Sequence, residues 1–182
     1  DPCLYAQSLD QRAASHGAAL SVIGRRVNQH AALSPIRALE KFVKARNLHL
    51  NNTKVLVVGV AFKGRPTTDD TRYSCAVSVA KLLESMVQEV FWVDFAVRVS
   101  PSNLQGVHEF ASDQQVPQDV DAIIVMNNHP DNTRLKIRDW ISDDSPKLFF
   151  DGWLQFKFLS EKKYSQRITY ATMGSLGPSF QN

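Results

Sequence analysis

Cysteine is scarce in this chain: Cys3 and Cys75 are the only two in 182 residues, and no Cys-x-x-Cys pair occurs. This excludes a disulfide framework and the common zinc spacings, and it suits a reducing, cytoplasmic setting. Long apolar runs are missing as well. No stretch approaches the roughly 20 residues that cross a bilayer as a helix, and no leader pattern opens the sequence, so a membrane setting is not expected. Charge of one sign is never gathered into a block. The 21 Lys and Arg are interleaved with 18 Asp and Glu for a net +3, whereas a nucleic-acid surface needs a basic stripe. No nucleic-acid partner is expected. His16, His30 and His49 fall at no spacing that would gather a metal.

What is present is an ordinary globular composition, 43% apolar and 21% charged, enough for one sizeable core. The chain reads in two parts joined by the polar stretch "NLHLNNT" over residues 47–53. Residues 1–50 carry helical pattern only and read as a connecting or dimerisation segment. One helix is expected over residues 2–15, ended by Gly17. A second, over residues 19–46, carries Leu20, Ile23, Val27 and Ala31, then Ala32, Ile36, Leu39 and Val43, with a break expected near Ser34 because Pro35 removes a helical hydrogen bond. At ~1.5 Å per residue it would be about 40 Å long and would overhang a small domain, so its apolar stripe predicts a homodimer through this helix.

Residues 51–182 change character. "KVLVVGV" (54–60), "EVFWVDF" (89–95), "DAIIVMNN" (121–128) and "KLFFDGW" (147–153) are strand candidates, with weaker ones at "VHEF" (107–110) and "RITYA" (167–171). Apolar residues on consecutive positions indicate strands covered on both faces. Helices are expected between them over residues 74–86, with Val77, Ala80 and Leu83 on one face, and 135–141. The fold class is therefore α/β: a doubly wound, mostly parallel, Rossmann-like sheet preceded by a long helical connecting segment.

The first strand empties into "GVAFKGRPTTDDTRYS", residues 59–74. Gly59 and Gly64 have the spacing that opens a phosphate loop, but Arg65 and Pro66 stand where its Lys and Ser or Thr belong. The dinucleotide fingerprint fails too, with Ala61 at its second glycine. Lys63, Arg65 and Arg72 nevertheless lie where a strand-to-helix loop can hold an anion, opposed by Asp69 and Asp70. Asp70 is expected as the helix N-cap, with Lys63 and Arg72 reaching over the loop toward a diphosphate. The alternative is a solvated turn whose charges cancel. His129, at the end of the third strong strand, is either a turn residue before Pro130 or a ligand contact.

The stretch "VLVVGVAFKGRPTTDDTRYSCAVSVAKLL" resembles the C-terminal domain of the UDP-glucose/GDP-mannose dehydrogenase family, whose pattern is an apolar strand, Gly-x-Ala-Phe-Lys, a short loop, Asp-Thr-Arg and a Ser-containing helix. "DPCLYAQSLD", "GRRVNQHAALSP", "NNHP", "FDGW" and "YATMG" extend the likeness over nearly the whole chain. The resemblance implies the C-terminal part of an NAD-dependent UDP-sugar 6-dehydrogenase, an oxidoreductase of polysaccharide biosynthesis. In such enzymes this domain holds the nucleotide end of the UDP-sugar, and a separate N-terminal domain holds NAD. Carried over, Phe62, Lys63 and Arg65 bind the substrate, Arg72 reaches the NAD diphosphate, and Asp1 assists proton transfer. The catalytic cysteine would precede residue 1 by four positions. Relatives often place a basic residue after the Asp-Gly near the end, where this chain has Trp153 and Leu154. The alternative function is a free-standing, non-catalytic nucleotide-binding or assembly module of the same fold.

The 182-residue chain by itself should not reduce NAD with any nucleotide sugar, because the resemblance assigns both the nucleophile and the main cofactor site to residues outside it. Absorbance at the reduced-cofactor band, with contaminating full-length enzyme excluded, checks this.

Overall fold

A computed structural model describes residues 23, 24, 27, 30–110 and 114–176. Asp1, the helix expected over residues 2–15 and most of residues 19–29 lie outside these. The chain divides into two compact units, residues 1–34 and 35–182, and the whole sheet belongs to the second.

Helix α1, Ser34–Ala45, begins at the expected break, with Pro35 in its first turn, where a missing N–H costs no hydrogen bond. Ile36, Ala38, Leu39, Phe42 and Val43 recur at helical spacing and are buried. Asn47 takes a left-handed φ of 54° and Leu48 N donates to the Val43 carbonyl at 2.9 Å, a closure that satisfies the last turn. Of the expected stripe, Ile36, Leu39 and Val43 are buried, whereas Ile23 and Val27 are exposed.

The sheet holds β1 (Lys54–Val58), β2 (Glu89–Val93), β3 (His108–Glu109), β4 (Ala122–Val125), β5 (Lys147–Asp151), β6 (Ile168–Thr172) and β7 (Ser175–Leu176). Their spatial order is β3-β2-β1-β4-β5-β6-β7. The first six are parallel, in the doubly wound order, and β7 returns antiparallel on β6. Every strand expected from sequence is present, each a little shorter than expected except β6, which keeps its length one residue further on; β7 has no counterpart among the expected strands. The helix expected over 74–86 is α2, Cys75–Glu84, and the one expected over 135–141 shrinks to α3, Arg138–Ser142, because Lys136 is drawn into a parallel β-bridge with Gln115, its carbonyl accepting from Val116 N at 2.8 Å.

Alternation assigns the faces. Leu56, Val58, Ile123, Val125 and Phe149 join Trp140 of α3 and Phe156 in one cluster, while Val55 and Val57 point the other way, on β1, against which α2 packs together with β2. With helices on both sides, β1 lies between β2 and β4 and is apolar from Val55 onward. At its amino edge, buried Lys147 donates to the Gln118 and Val120 carbonyls and pairs with Asp143 at 3.0 Å.

Asp151, fully buried at the end of β5, organises the turn beyond that strand. Its Oδ1 accepts from Trp153 N (3.2 Å) and Gln155 N (3.1 Å), and its Oδ2 from Phe156 N (2.6 Å) and the Tyr170 hydroxyl (2.8 Å). Burial first, and then the Asp151 carboxylate, push the Tyr170 phenol above its ordinary value, so that it remains a donor. Asp151→Ala would strand four buried or half-buried donors and is expected to cost at least ~3 kcal/mol, against ~1–2 kcal/mol for Tyr170→Phe, which removes one bond. Urea denaturation of the two variants checks the ratio.

Candidate functional site

In a doubly wound sheet, ligands sit beyond the carboxyl ends of the strands where the strand order reverses, which here lies between β1 and β4. The chain leaving β1 turns at Gly59, with φ +84°, a conformation that suits glycine. A Cβ there would meet Asn127 Oδ1 at 2.4 Å, and one on Gly64 would lie 1.9 Å from His129 N. Both glycines therefore exist for close packing against the exit of β4. The space over them is filled by the protein itself, so they form no phosphate cradle.

The loop is fastened at several points. Ala61 N donates to Asp94 Oδ2 (2.9 Å), Phe62 N to the Asp70 carbonyl (2.7 Å), closing the base, and Gly64 N to Asn128 Oδ1 (3.0 Å). Asp94, at the end of β2, also receives Ala96 N and Val97 N on its other oxygen. Asn127 is buried; its amide nitrogen faces Ala61 O and Asp94 Oδ2, both at 3.4 Å, while its oxygen accepts from His129 N and Asn132 Nδ2. Asn132 Nδ2 also donates to Gln155 Oε1 (3.0 Å), whose own nitrogen donates to the His129 carbonyl (2.8 Å). A polar chain thus links the exits of β2, β1, β4 and β5.

Phe62, Lys63 and Arg65 project from this fastened loop. All three are exposed, and neither Lys63 nor Arg65 has an ion-pair partner among the described residues. The structure brings these three of the sequence-predicted residues to one place, while Asp1 lies outside the described residues. Arg72 behaves differently. Its Nε and Nη2 both bind the Asp70 carboxylate, at 3.0 and 2.8 Å, and Arg72 N donates to the same group. Instead of reaching over the loop, the guanidinium closes back on its neighbour, and this pair cancels, leaving Lys63 and Arg65 against Asp69. Asp70 is not the N-cap: Ser74 is, accepting from Ala76 N. His129 is buried, accepts from Asp131 N through Nδ1, and stacks on Phe95 at 6.1 Å, which makes it a turn residue and not a ligand-facing one.

Sequence reasoning missed Asp94, Asn127, Asn132 and Gln155. For Asp94 and Asn127 the signal available was a polar residue directly after a buried apolar run, in "WVD" and "VMNN"; Asn132 and Gln155 carried no such signal.

Hydrogen bonds from the Arg72 side chain and then its backbone N–H hold the Asp70 carboxyl down to about 2 from its ordinary 3.8. Because the folded value is depressed, the pair contributes above pH ~4 and is lost as pH falls through about 2. In Arg72→Ala the Asp70 carboxyl should titrate close to 3.8, which side-chain carboxyl NMR would follow.

Residues 56–157 match the model of the UDP-glucose/GDP-mannose dehydrogenase family, UDP binding domain. The chain is 30% identical over 109 residues to a UDP-N-acetyl-D-mannosamine dehydrogenase of Pyrococcus horikoshii, spanning 60% of this chain and 23% of that protein. Its fold is similar to the solved UDP-D-ManNAc dehydrogenase of Pyrococcus horikoshii (TM-score 0.62, 24% identity, 85% of this chain and 33% of the other). It is similar also to a UDP-glucose dehydrogenase of Pyrobaculum islandicum (TM-score 0.55, 24% identity, 85% and 32%). The chain thus spans a quarter to a third of the length of these relatives. Since the family model covers more than half of the sequence and includes the fastened loop after β1, this chain belongs to the UDP-glucose/GDP-mannose dehydrogenase family.

Proposed function

We propose that this chain is the substrate-holding part of an NAD-dependent UDP-sugar 6-dehydrogenase, and that it binds the nucleotide end of the sugar nucleotide beyond the carboxyl ends of β1 and β4. The observation that carries the reading is the closed loop after β1. It is rigidly tied at Ala61, Phe62 and Gly64, yet presents Lys63 and Arg65 with no partner among the described residues. A cation held in place on a fixed backbone gives a phosphate a charge-assisted hydrogen bond at little ordering cost. Lys63 is the principal cation, Arg65 the second, and Phe62, 57% exposed, supplies an apolar contact beside them.

In the complete enzyme NAD supplies the hydride acceptor. The β1 loop of this chain does not fit that cofactor, since the approach over Gly59 and Gly64 is taken by Asn127 and the His129 backbone. Arg72 could turn to a cofactor diphosphate only by leaving Asp70. The role of this chain is to bind and orient the nucleotide, with Asp1 proposed for proton transfer. A homodimer through residues 19–46 is part of the proposal, supported by the exposed Ile23 and Val27, and so are a cytoplasmic setting and a role in polysaccharide biosynthesis.

Lys63→Ala should weaken UDP binding about ten- to a hundredfold, the ~1.5–3 kcal/mol of one charge-assisted hydrogen bond. Arg72→Ala should weaken it much less. Titration with UDP followed by chemical-shift perturbation checks both, and no perturbation of residues 59–72 at millimolar UDP would remove the reading.

A further inference from the structure

The turn after β5 spends several interactions on holding one side chain at the surface. Asp151 grips the N–H groups of Trp153, Gln155 and Phe156. Gly152 leaves no room for a Cβ, which would lie 2.6 Å from the Val125 carbonyl. Leu154 takes a φ of 58°, costly for a non-glycine residue and tolerated only where surrounding contacts determine it. At the tip Trp153 donates its indole Nε1–H to the Met126 carbonyl at 3.0 Å, and its side chain is nevertheless part of a residue 53% exposed.

This bond sets both the place and the chemistry of the indole. Met126 leaves β4, and Met126 N itself donates to Val58 O at the end of β1, so the ring is anchored at the strand exit that borders the candidate site. Strands lie ~4.8 Å apart, which puts the β5 exit roughly 10 Å from that of β1. The only polar group of Trp153 is already used. What remains open is an apolar π-surface fixed at one edge, which offers nothing to a phosphate and a stacking partner to a flat ring, with little rotamer entropy left to lose.

We propose that Trp153 is the stacking platform for the nucleobase of the bound nucleotide, one strand exit beyond the β4 crevice, so that Lys63 with Arg65 and Trp153 hold opposite ends of the same ligand. This rests on the nucleotide-binding reading above and adds a residue and a role to it. The other occupant an indole face could take, the apolar face of the hexose, is absent from UDP and uridine alike, so a response to these probes excludes it.

The test titrates the chain with UDP, with uridine and with inorganic pyrophosphate, reading backbone shifts and the Trp153 indole N–H resonance, in the unsubstituted chain and in Trp153→Ala, Trp153→Phe and Lys63→Ala. UDP and uridine should both move the Trp153 indole resonance, whereas pyrophosphate should move only residues 59–65. Trp153→Ala should weaken UDP about ten- to a hundredfold, the range found for removing one aromatic–base stack, and leave pyrophosphate unchanged. Trp153→Phe, which keeps a ring and folds if the turn tolerates the lost indole bond, should retain most of the affinity. If Lys63→Ala weakens UDP but Trp153→Ala does not, or if uridine leaves the indole resonance still, the stacking role is overturned and nucleotide binding stands. If UDP and pyrophosphate leave the unsubstituted chain unchanged, both are overturned.

Discussion

The contact on which this end of the molecule depends is that between Gly59 and Asn127. The Asn127 carboxamide fills the volume where any other residue at position 59 would carry its Cβ, and it is buried with both ends engaged. A buried amide without partners costs ~1–3 kcal/mol per stranded group, so its position is tied to that of Asp94, Asn132 and the peptide at 129. Through these, four strand exits become one frame. The loop that carries Lys63 and Arg65 then inherits a fixed backbone, although it is long and lies at the surface.

The two ends of the sheet are held by different means. At the amino edge a buried ammonium, Lys147, collects two carbonyls and the Asp143 carboxylate, with Trp140 at 6.0 Å, and Lys54 bridges to Asp119 at 2.7 Å. The groove there, lined by Asn52, Lys54, Asp119, Asp121 and Ser145 among others, has its charges turned on one another. At the carboxyl edge the amides of Asn127, Asn128, Asn132 and Gln155 share the joining with the buried Asp94 and Asp151 carboxylates, which accept mainly backbone N–H groups, and the two cations of the loop are left exposed. Basic groups are thus paired at the amino end, whereas Lys63 and Arg65 of the loop after β1 have no ion-pair partner among the described residues. That asymmetry agrees with the general placement of sites in doubly wound sheets.

Much of this was legible in the sequence, for a physical reason. Strands covered on both faces must be apolar on consecutive residues, and "KVLVV", "AIIV" and "KLFFD" could hardly be anything else. The address of the β1 loop followed from those strands alone. What stayed hidden was pairing at short range. Counting three cations against two carboxylates could not reveal that Arg72 folds back on Asp70, nor that the Asp70 carbonyl is taken by Phe62 N. Ser74 and Asp70 are equally good caps by type; the left-handed Tyr73, φ 60°, between them ends the loop and hands the cap to Ser74. Asn127, placed at the end of an expected strand, and Asn132, given no role, do not read as joining groups because nothing in a sequence distinguishes a buried amide from a solvated one.

The three tryptophans occupy very different surroundings. Trp92 and Trp140 are enclosed in the core, and only Trp153 meets solvent, at the rim of the crevice. Their emission is therefore separable: two indoles in an apolar medium give blue-shifted light out of reach of dissolved iodide, and the third emits further to the red within its reach. The molecule carries its own optical probe at the β5 exit, and events at that rim can be followed without attaching a dye.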